Sequence, residues 1–320
     1  MTDSDNKKIL IAPYQNEHKT VWNDFVATSK NGLFLFSRDY MDYHSDRFHD
    51  HSLMFFRKGK LIGLFPANLK DNVLYSHGGL TFGGVISDSN MSAQIMLEIF
   101  EELNDHCRQK GISKIIYKTL PYIYHLFPSD EDLYALFRHN AQLIGRGVTA
   151  SIYMTQKLDF DESRTRSIKK AQKNNLVVKR TFEFGSFMEI VKNVLLEHHG
   201  VAPVHTPQEI ELLATRFPNN LKLFCSYKDN KMLAGVLVFE SRNVAHAQYI
   251  ANSNEGRGLG ALEIVFDYLI NTQFRSKKYF DFGISTEQMG QVLNSGLMLQ
   301  KEGFGARSIM QDIYQLTINH

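Results

Sequence analysis

The sequence predicts an α+β (mixed α/β) protein of two tandem units, each a mostly antiparallel central sheet flanked by helices. Three observations carry this. The chain of 320 residues is long for a single domain. Strand-like runs come in short meanders joined by polar turns. The order meander, helix, strand, helix, strand then occurs twice. The units are expected to meet near residue 150, as 1–150 and 151–320.

In the first unit "SLMFF", "KLIGLFPANL" and "VLYSH" read as strands, with "RKGK" and "KDN" supplying the turn chemistry between them. "SAQIMLEIFEELNDHCRQKG" (92–111) reads as a helix, because Ile95, Ile99 and Leu103 recur at four-residue spacing and Gly111 can close it. "SKIIYK" follows as a strand, "SDEDLYALFRHN" as a helix opened by Ser129, and "TASIYMTQKL" as a strand.

Between the halves, Ser186 with Glu189, and Thr206 with Pro207 and Glu209, have the spacing of capping boxes. "LKLFCSY", "KMLAGVLVFE" and "VAHAQYIA" form the second meander, and an apolar helix lies within 252–270. "KKYFDFG" is the next strand, "MGQVLNSGLMLQKEG" a short helix, and "RSIMQDIYQLTI" the last strand.

Composition narrows the function classes. Lysine and arginine exceed aspartate and glutamate by only two, so no global field recruits nucleic acid, and stable DNA binding is not expected. Any basic site is local. Cys107 and Cys225 stand far apart, which argues for a reducing compartment and a cytoplasmic location. The polar start "MTDSDNKKIL" has no signal-peptide core, and no later apolar run approaches the ~20 residues of a membrane span. Peripheral contact with a membrane remains open, and the oligomeric state is not legible.

Chemistry concentrates in the second half. "NSNEGRGLGALEIVFDYLI" (252–270) sets three glycines and Arg257 before a helix whose Leu259, Leu262, Phe266 and Leu269 share one face. The first turn of such a helix has unpaired N–H groups and a positive dipole end, which suit a phosphate. Its alternative is a tight turn with no ligand. On "VAHAQYIAN", alternation puts His246 and Gln248 on one face with Asn252, opposite Ala247, Tyr249 and Ala251. His246 suits a base or proton relay, or else His246 and Gln248 are bonded within the sheet. Asp281 points with Gly283, Ser285 and Glu287 towards the same cleft or rim, to deprotonate or orient an amine, or to cap the next helix. "RSIKKAQKNN" places Arg166, Lys169, Lys170 and Lys173 on one helical face, for a phosphate, for RNA, or simply for solvent. The histidines and aspartates of "YHSDRFHDHS" (43–52) lack a matching distant ligand set, and no metal is expected. His198, His199 and His205 flank the turn after a helix.

"EGRGLGA" before an apolar helix resembles the acyl-CoA-binding segment of the GNAT N-acyltransferases, whose signature is Gln or Arg, two residues, Gly, one residue, then Gly or Ala. Gly258 and Gly260 fit it, whereas Glu255 stands where Gln or Arg is usual. "RSIKKAQKNNLVV" (166–178), "YFDFGIS" (279–285) and "LMLQKEGFGAR" (297–307) resemble the Fem-type (FemAB-like) branch, duplicated-GNAT enzymes of bacterial cell-envelope synthesis. The first half joins this resemblance by element order and by "SHGGLTFGG" (76–84).

The resemblance implies two GNAT-like units, the first on the acceptor side and the second donor-binding and catalytic. It implies an acyl-CoA, such as acetyl-CoA, held at Arg257, Gly258, Leu259, Gly260 and Ala261. "VAHAQYIA" and "KKYFDFG" would splay apart to admit the pantetheine arm. Lys301, in a "KE-FG" setting, would stabilise developing negative charge, its alternative being a solvated lysine at a helix end. With His246 and Asp281 it completes the candidate catalytic set. His77, Thr81, Arg166, Lys170, Gln248, Ser285 and Glu287 are the substrate-binding candidates, though the loop of His77 and Thr81 is equally readable as a structural glycine turn.

Three readings follow. The first is an N-acyltransferase moving an acyl group to an amine on a small-molecule or lipid-linked envelope precursor (sugar, peptide or lipid). The second keeps the fold and uses aminoacyl-tRNA on a peptidoglycan precursor. The third is a non-catalytic ligand-binding module.

Overall fold

The computed structural model describes residues 8–319, and the side chains of residues 198 and 199 lie outside the description. The polar start read from residues 1–10 therefore falls mostly outside the described residues, as do the side chains of His198 and His199. The chain divides into two compact units, discontinuous in sequence: 1–147 with 287–292 and 310–320, and 148–286 with 293–309. The expected cut near 150 differs from this in the two late segments that return to the first unit.

In the first unit β1 (Ile9–Pro13), α1 (Lys19–Thr28) and α2 (Arg38–Met41) precede the hairpin of β2 (Leu53–Arg57) and β3 (Lys60–Phe65). The hairpin closes through Lys58 and Gly59, both with positive φ (51° and 72°), as a tight two-residue turn requires. The expected single strand "KLIGLFPANL" breaks at Pro66, which has no N–H to give a ladder. β3 stays with β2, while β4 (Asn68–Lys70) pairs instead with β5 (Val73–Tyr75). After β6 (Ile86–Ser87), which adds to β3, α3 (Ala93–Gln109) starts at Ser92, whose Oγ accepts from the Ile95 N–H. It buries Met96, Ile99, Phe100, Leu103 and Cys107 in one core with Leu53, Phe55 and Phe65. β7 (Lys114–Lys118) lies parallel to β5, and α4 (Glu131–Arg138) begins after Asp130, so Ser129 stands one residue short of the expected cap.

The second unit takes the end of β8 (Gln142–Tyr153), then α5 (Glu162–Lys173), β9 (Val177–Thr181), α6 (Phe184–His199) and α7 (Pro207–Arg216). α6 starts two residues before Ser186, because Phe184, Phe187, Met188 and Val191 form its buried stripe, and the Ser186–Glu189 box is not its start. Thr206 and Glu209 do form the reciprocal box that opens α7, with Pro207 in the first turn. β10 (Leu221–Lys228), β11 (Lys231–Glu240) and β12 (Val244–Asn252) make the meander. Asp229 and Asn230, at φ 49° and 62°, turn the first hairpin.

α8 (Asn254–Leu259) and α9 (Ala261–Tyr268) then split the expected helix at Gly260. β13 (Tyr279–Ile284) follows, and the chain continues through β14 (Thr286–Glu287), β15 (Val292–Leu293), α10 (Ser295–Glu302) and β16 (Arg307–Thr317), whose end pairs with β7 in the first unit. α10 is shorter than expected, since Met289 and Gly290 have positive φ and Asn294 caps the helix through the Leu297 N–H. The strand order within this unit is β8-β13-β12-β11-β10-β9, and only β12 and β13 run parallel.

Candidate active site

The site forms where β12 and β13 part. They pair at Val244–Tyr279, Ala245–Phe280 and His246–Asp281. Among the described residues no pair follows, although β12 runs on to Asn252 and β13 to Ile284. On the other edge of β12, Leu237 of β11 faces Tyr249 while Val238 faces Ala247, so the ladder skips Gln248. This bulge breaks the expected alternation: Ile250 joins Ala245 and Ala247 in the core cluster, and Gln248 no longer shares a simple face with Asn252.

The last pair before the parting carries the polar groups. His246 and Asp281 are both buried, and His246 Nδ1 lies 2.7 Å from Asp281 Oδ2. The other carboxylate oxygen accepts from Thr149 Oγ1 at 2.6 Å. An ionised carboxylate only accepts, so Nδ1 is the donor of this bond. Gly283, at φ +75°, leaves room for that ring: a Cβ there would stand 3.3 Å from His246 Cε1. Asp281 thus orients the imidazole, and Asn294 does the helix capping.

Lys301 is buried rather than solvated. Its Nζ donates to the Gly283 and Ile284 carbonyls and to Ser285 Oγ, each at 2.8 Å. Those three bonds use the ammonium's three donors and tie the end of α10 to the end of β13. Burial pushes its pKa down from 10.5 to about 8, against the opposing pull of Asp281. Ser285 is buried as a partner of Lys301 and is not offered to solvent.

Beside Lys301 lies a cavity of about 410 Å³. It takes Ile250 and Asn252 from β12 and Phe282 from β13, all beyond the last ladder pair. Phe266, Phe282 and Phe304 pack on one another in its wall, at centroid distances of 4.9, 5.0 and 5.8 Å. α6 closes another side with Val194 and Leu195. Glu263 is held by Arg164 Nη1 at 2.8 Å, and Arg257 is also in the lining.

Comparison with known proteins relates this arrangement to a known fold. Residues 163–289 match the family described as Acetyltransferase (GNAT) domain. A crystal structure of FemX superposes with a TM-score of 0.67 at 12% identity, covering 95% of this chain and 96% of that one. The C-terminal domain of a putative lysylphosphatidylglycerol synthetase from Agrobacterium fabrum gives 0.61 at 13% identity, covering 94% and 92%. A tandem GNAT protein from the clavulanic acid biosynthesis pathway gives 0.52 at 9% identity, covering 98% and 99%. No curated protein matches by sequence. The chain has the fold of FemX and of tandem GNAT proteins, and its residues 163–289 match a GNAT acetyltransferase domain.

The glycine turn is closely packed. Ser253 Oγ already caps the first turn of α8 through the Gly256 N–H, and Gly260 spends its own N–H on the Gly256 carbonyl. A Cβ at Gly260 would meet the Ser167 carbonyl of α5 at 2.3 Å, and one at Gly256 would meet Asn252 Oδ1 at 2.4 Å. Both glycines serve close packing. Gly258 alone of the three has nothing within 4 Å of the point where a Cβ would stand. Ala261 is buried and Leu259 packs against the core, so these two are packing residues as well. Glu255, where the signature has Gln or Arg, pairs with Lys231 at 2.7 Å.

The remaining expected residues scatter. Arg166, Lys169, Lys170 and Lys173 are exposed on α5, which buries Ile168 and Ala171, and Arg166 lies 3.8 Å from Glu162. Gln248 keeps its Oε1 buried with no hydrogen-bond partner among the described residues. In the first unit His77 is buried at φ +58°, contrary to the expectation that it is presented to an acceptor. Burial, helped by His44, Lys118 and Arg38, pushes its pKa down to about 3. Its loop closes on Lys118, whose Nζ donates to the His77 and Leu80 carbonyls. Thr81 is exposed and its carbonyl accepts from Gln311 Nε2 at 2.7 Å; Glu287 is exposed and falls in the first unit.

Sequence reasoning missed Thr149 and the Arg164–Glu263 pair as parts of the site. Thr149 reaches Asp281 across 132 positions of sequence, which no local spacing announces. Among the described residues no group of three or more His, Cys, Asp or Glu side chains is placed to hold a metal, and no helix is long and apolar enough to cross a membrane.

Proposed function

We propose that the chain is an N-acyltransferase moving an acyl group from acyl-CoA or a related thioester to an amine on a cell-envelope precursor, in the cytoplasm. The carrying observation is that β12 and β13 part directly after His246–Asp281, with the cavity lined by both strands beyond that point. The neutral amine nitrogen attacks the acyl carbon, and His246 Nε2 accepts its proton while Asp281 holds Nδ1. The tetrahedral intermediate then breaks its C–S bond, and the leaving thiolate takes the proton back, giving amide and free thiol. Lys301 fixes the 283–285 backbone beside the reacting groups and puts positive charge near the oxyanion.

The second reading takes an aminoacyl ester of tRNA as donor, and two observations favour it. The Gly260 N–H that a CoA pyrophosphate would use is already bonded to the Gly256 carbonyl, and the basic residues of α5 are exposed. Calorimetric titration with acetyl-CoA, paired with transfer assays using acyl-CoA and aminoacyl-tRNA on amine acceptors, tests both. Micromolar CoA binding lost in Gly258→Trp supports the first reading. RNA binding that weakens steeply with salt, with aminoacyl transfer, supports the second. Binding without turnover of either donor would reduce the protein to a ligand-binding module.

A further inference from the structure

We infer that the cavity beside Lys301 holds an apolar acyl chain longer than acetyl; this rests on the acyltransfer reading and names its substrate class. Val194 and Leu195 of α6, Ile250 of β12 and Leu297 of α10 are half-buried aliphatic side chains that line this cavity. Behind them stands the wall of Phe266, Phe282 and Phe304. A two-carbon acyl group would leave most of these surfaces facing water, whereas each further methylene buried there raises affinity about 4-fold.

Of the three charged groups in the lining, Arg257 lies on α8, while Glu263 and Lys301 are held by partners. Glu263 is already bound by Arg164, and Lys301 is bound by three oxygens of its own unit. A charged acyl group entering here would lose water and find those charges committed. The guest is therefore an apolar chain.

The test uses N-acetylcysteamine thioesters of acetic, butyric and hexanoic acid, each of which has a thioester and one amide N–H. Calorimetry on the full chain should show affinity rising at least ~10-fold from acetyl to hexanoyl. Val194→Phe and, separately, Leu297→Trp should bring the hexanoyl-to-acetyl ratio towards one by filling the cavity. Equal affinity for acetyl and hexanoyl in the unmodified chain would overturn the inference, as would a gradient unchanged in both wall variants. Transfer from the matching acyl-CoA series separates the two readings: graded binding without transfer retires the acyltransferase and keeps the apolar site, whereas transfer with flat binding does the reverse.

Discussion

His246 Nδ1 stands 2.7 Å from Asp281 Oδ2, on the last ladder pair before β12 and β13 separate. The position matters as much as the distance. One residue earlier the pair would be sealed inside the sheet; one later it would have no ladder to hold its register. Asp281→Asn keeps the shape but can present an N–H where His246 needs an acceptor. Turnover is expected to fall ~10²-fold, with donor affinity changed far less. Steady-state kinetics with a parallel binding titration check this, and a fully active His246→Ala/Asp281→Asn double variant would remove the pair from the chemistry.

Lys301 gives a prediction with a definite sign. Its pKa in the folded protein is about 8, below the ordinary 10.5, so folding disfavours its charged form. Below pH 8 both states are protonated and the cost is fully present. Between pH 8 and 10.5 the native state sheds its proton first, and the cost is relieved. The melting temperature of the unmodified chain should therefore rise relative to Lys301→Met as pH goes from 8 to 10. Turnover of Lys301→Met should drop ~10-fold or more, because the Gly283 and Ile284 carbonyls lose their donor. Retained turnover would make the lysine a purely structural clamp.

His77 predicts acid sensitivity in the first unit. Its pKa is depressed from 6.5 to about 3 by burial, so the unfolded chain binds a proton that the native state refuses. Stability from this group is present above pH 6.5 and is lost as pH falls towards 3, by about 2 kcal/mol at pH 5. Asn tolerates the left-handed backbone at φ +58°, so His77→Asn should fold and flatten this dependence. Denaturant unfolding at pH 5 and pH 7.5 measures it, and an equal loss in the variant would assign the acid sensitivity elsewhere.

What the sequence makes legible follows the range of the interactions involved. Strands, the α3 stripe and the Thr206 box depend on neighbours within a few residues, and they are readable. The break at Pro66 and the early start of α6 depend on which sheet or core an element joins, so local spacing misplaces them. At the site, residue type, alternation and family resemblance single out His246, Asp281 and Lys301 individually. Their bonds are hidden, because they join residues 16 to 35 positions apart through the pairing of β12 with β13 and the return of α10. Thr149 and Ser167 act through long-range contacts, and nothing near them in sequence points to Asp281 or Gly260.

The glycine turn yields the prediction that most sharply separates packing from binding. Gly260 combines φ +74° with a Ser167 carbonyl 2.3 Å from where a Cβ would stand. Gly260→Ala should therefore destabilise the chain by ~1–2 kcal/mol or more, through backbone strain and displacement of α5 from α9. Gly258 has open space around its Cα and no positive φ, so Gly258→Ala should cost less than ~1 kcal/mol, with a small gain from its place within α8. Donor binding should show the opposite order. Gly258→Trp puts a large side chain at the open glycine next to Arg257, a cavity residue, and is expected to weaken acyl-CoA binding ~10-fold or more while the fold persists. Thermal unfolding and titration of the same purified variants would read both effects at once. If Gly258→Trp bound acyl-CoA as tightly as the unmodified chain, the donor phosphates would have to lie away from this turn, and the exposed face of α5 would become the place to look for them.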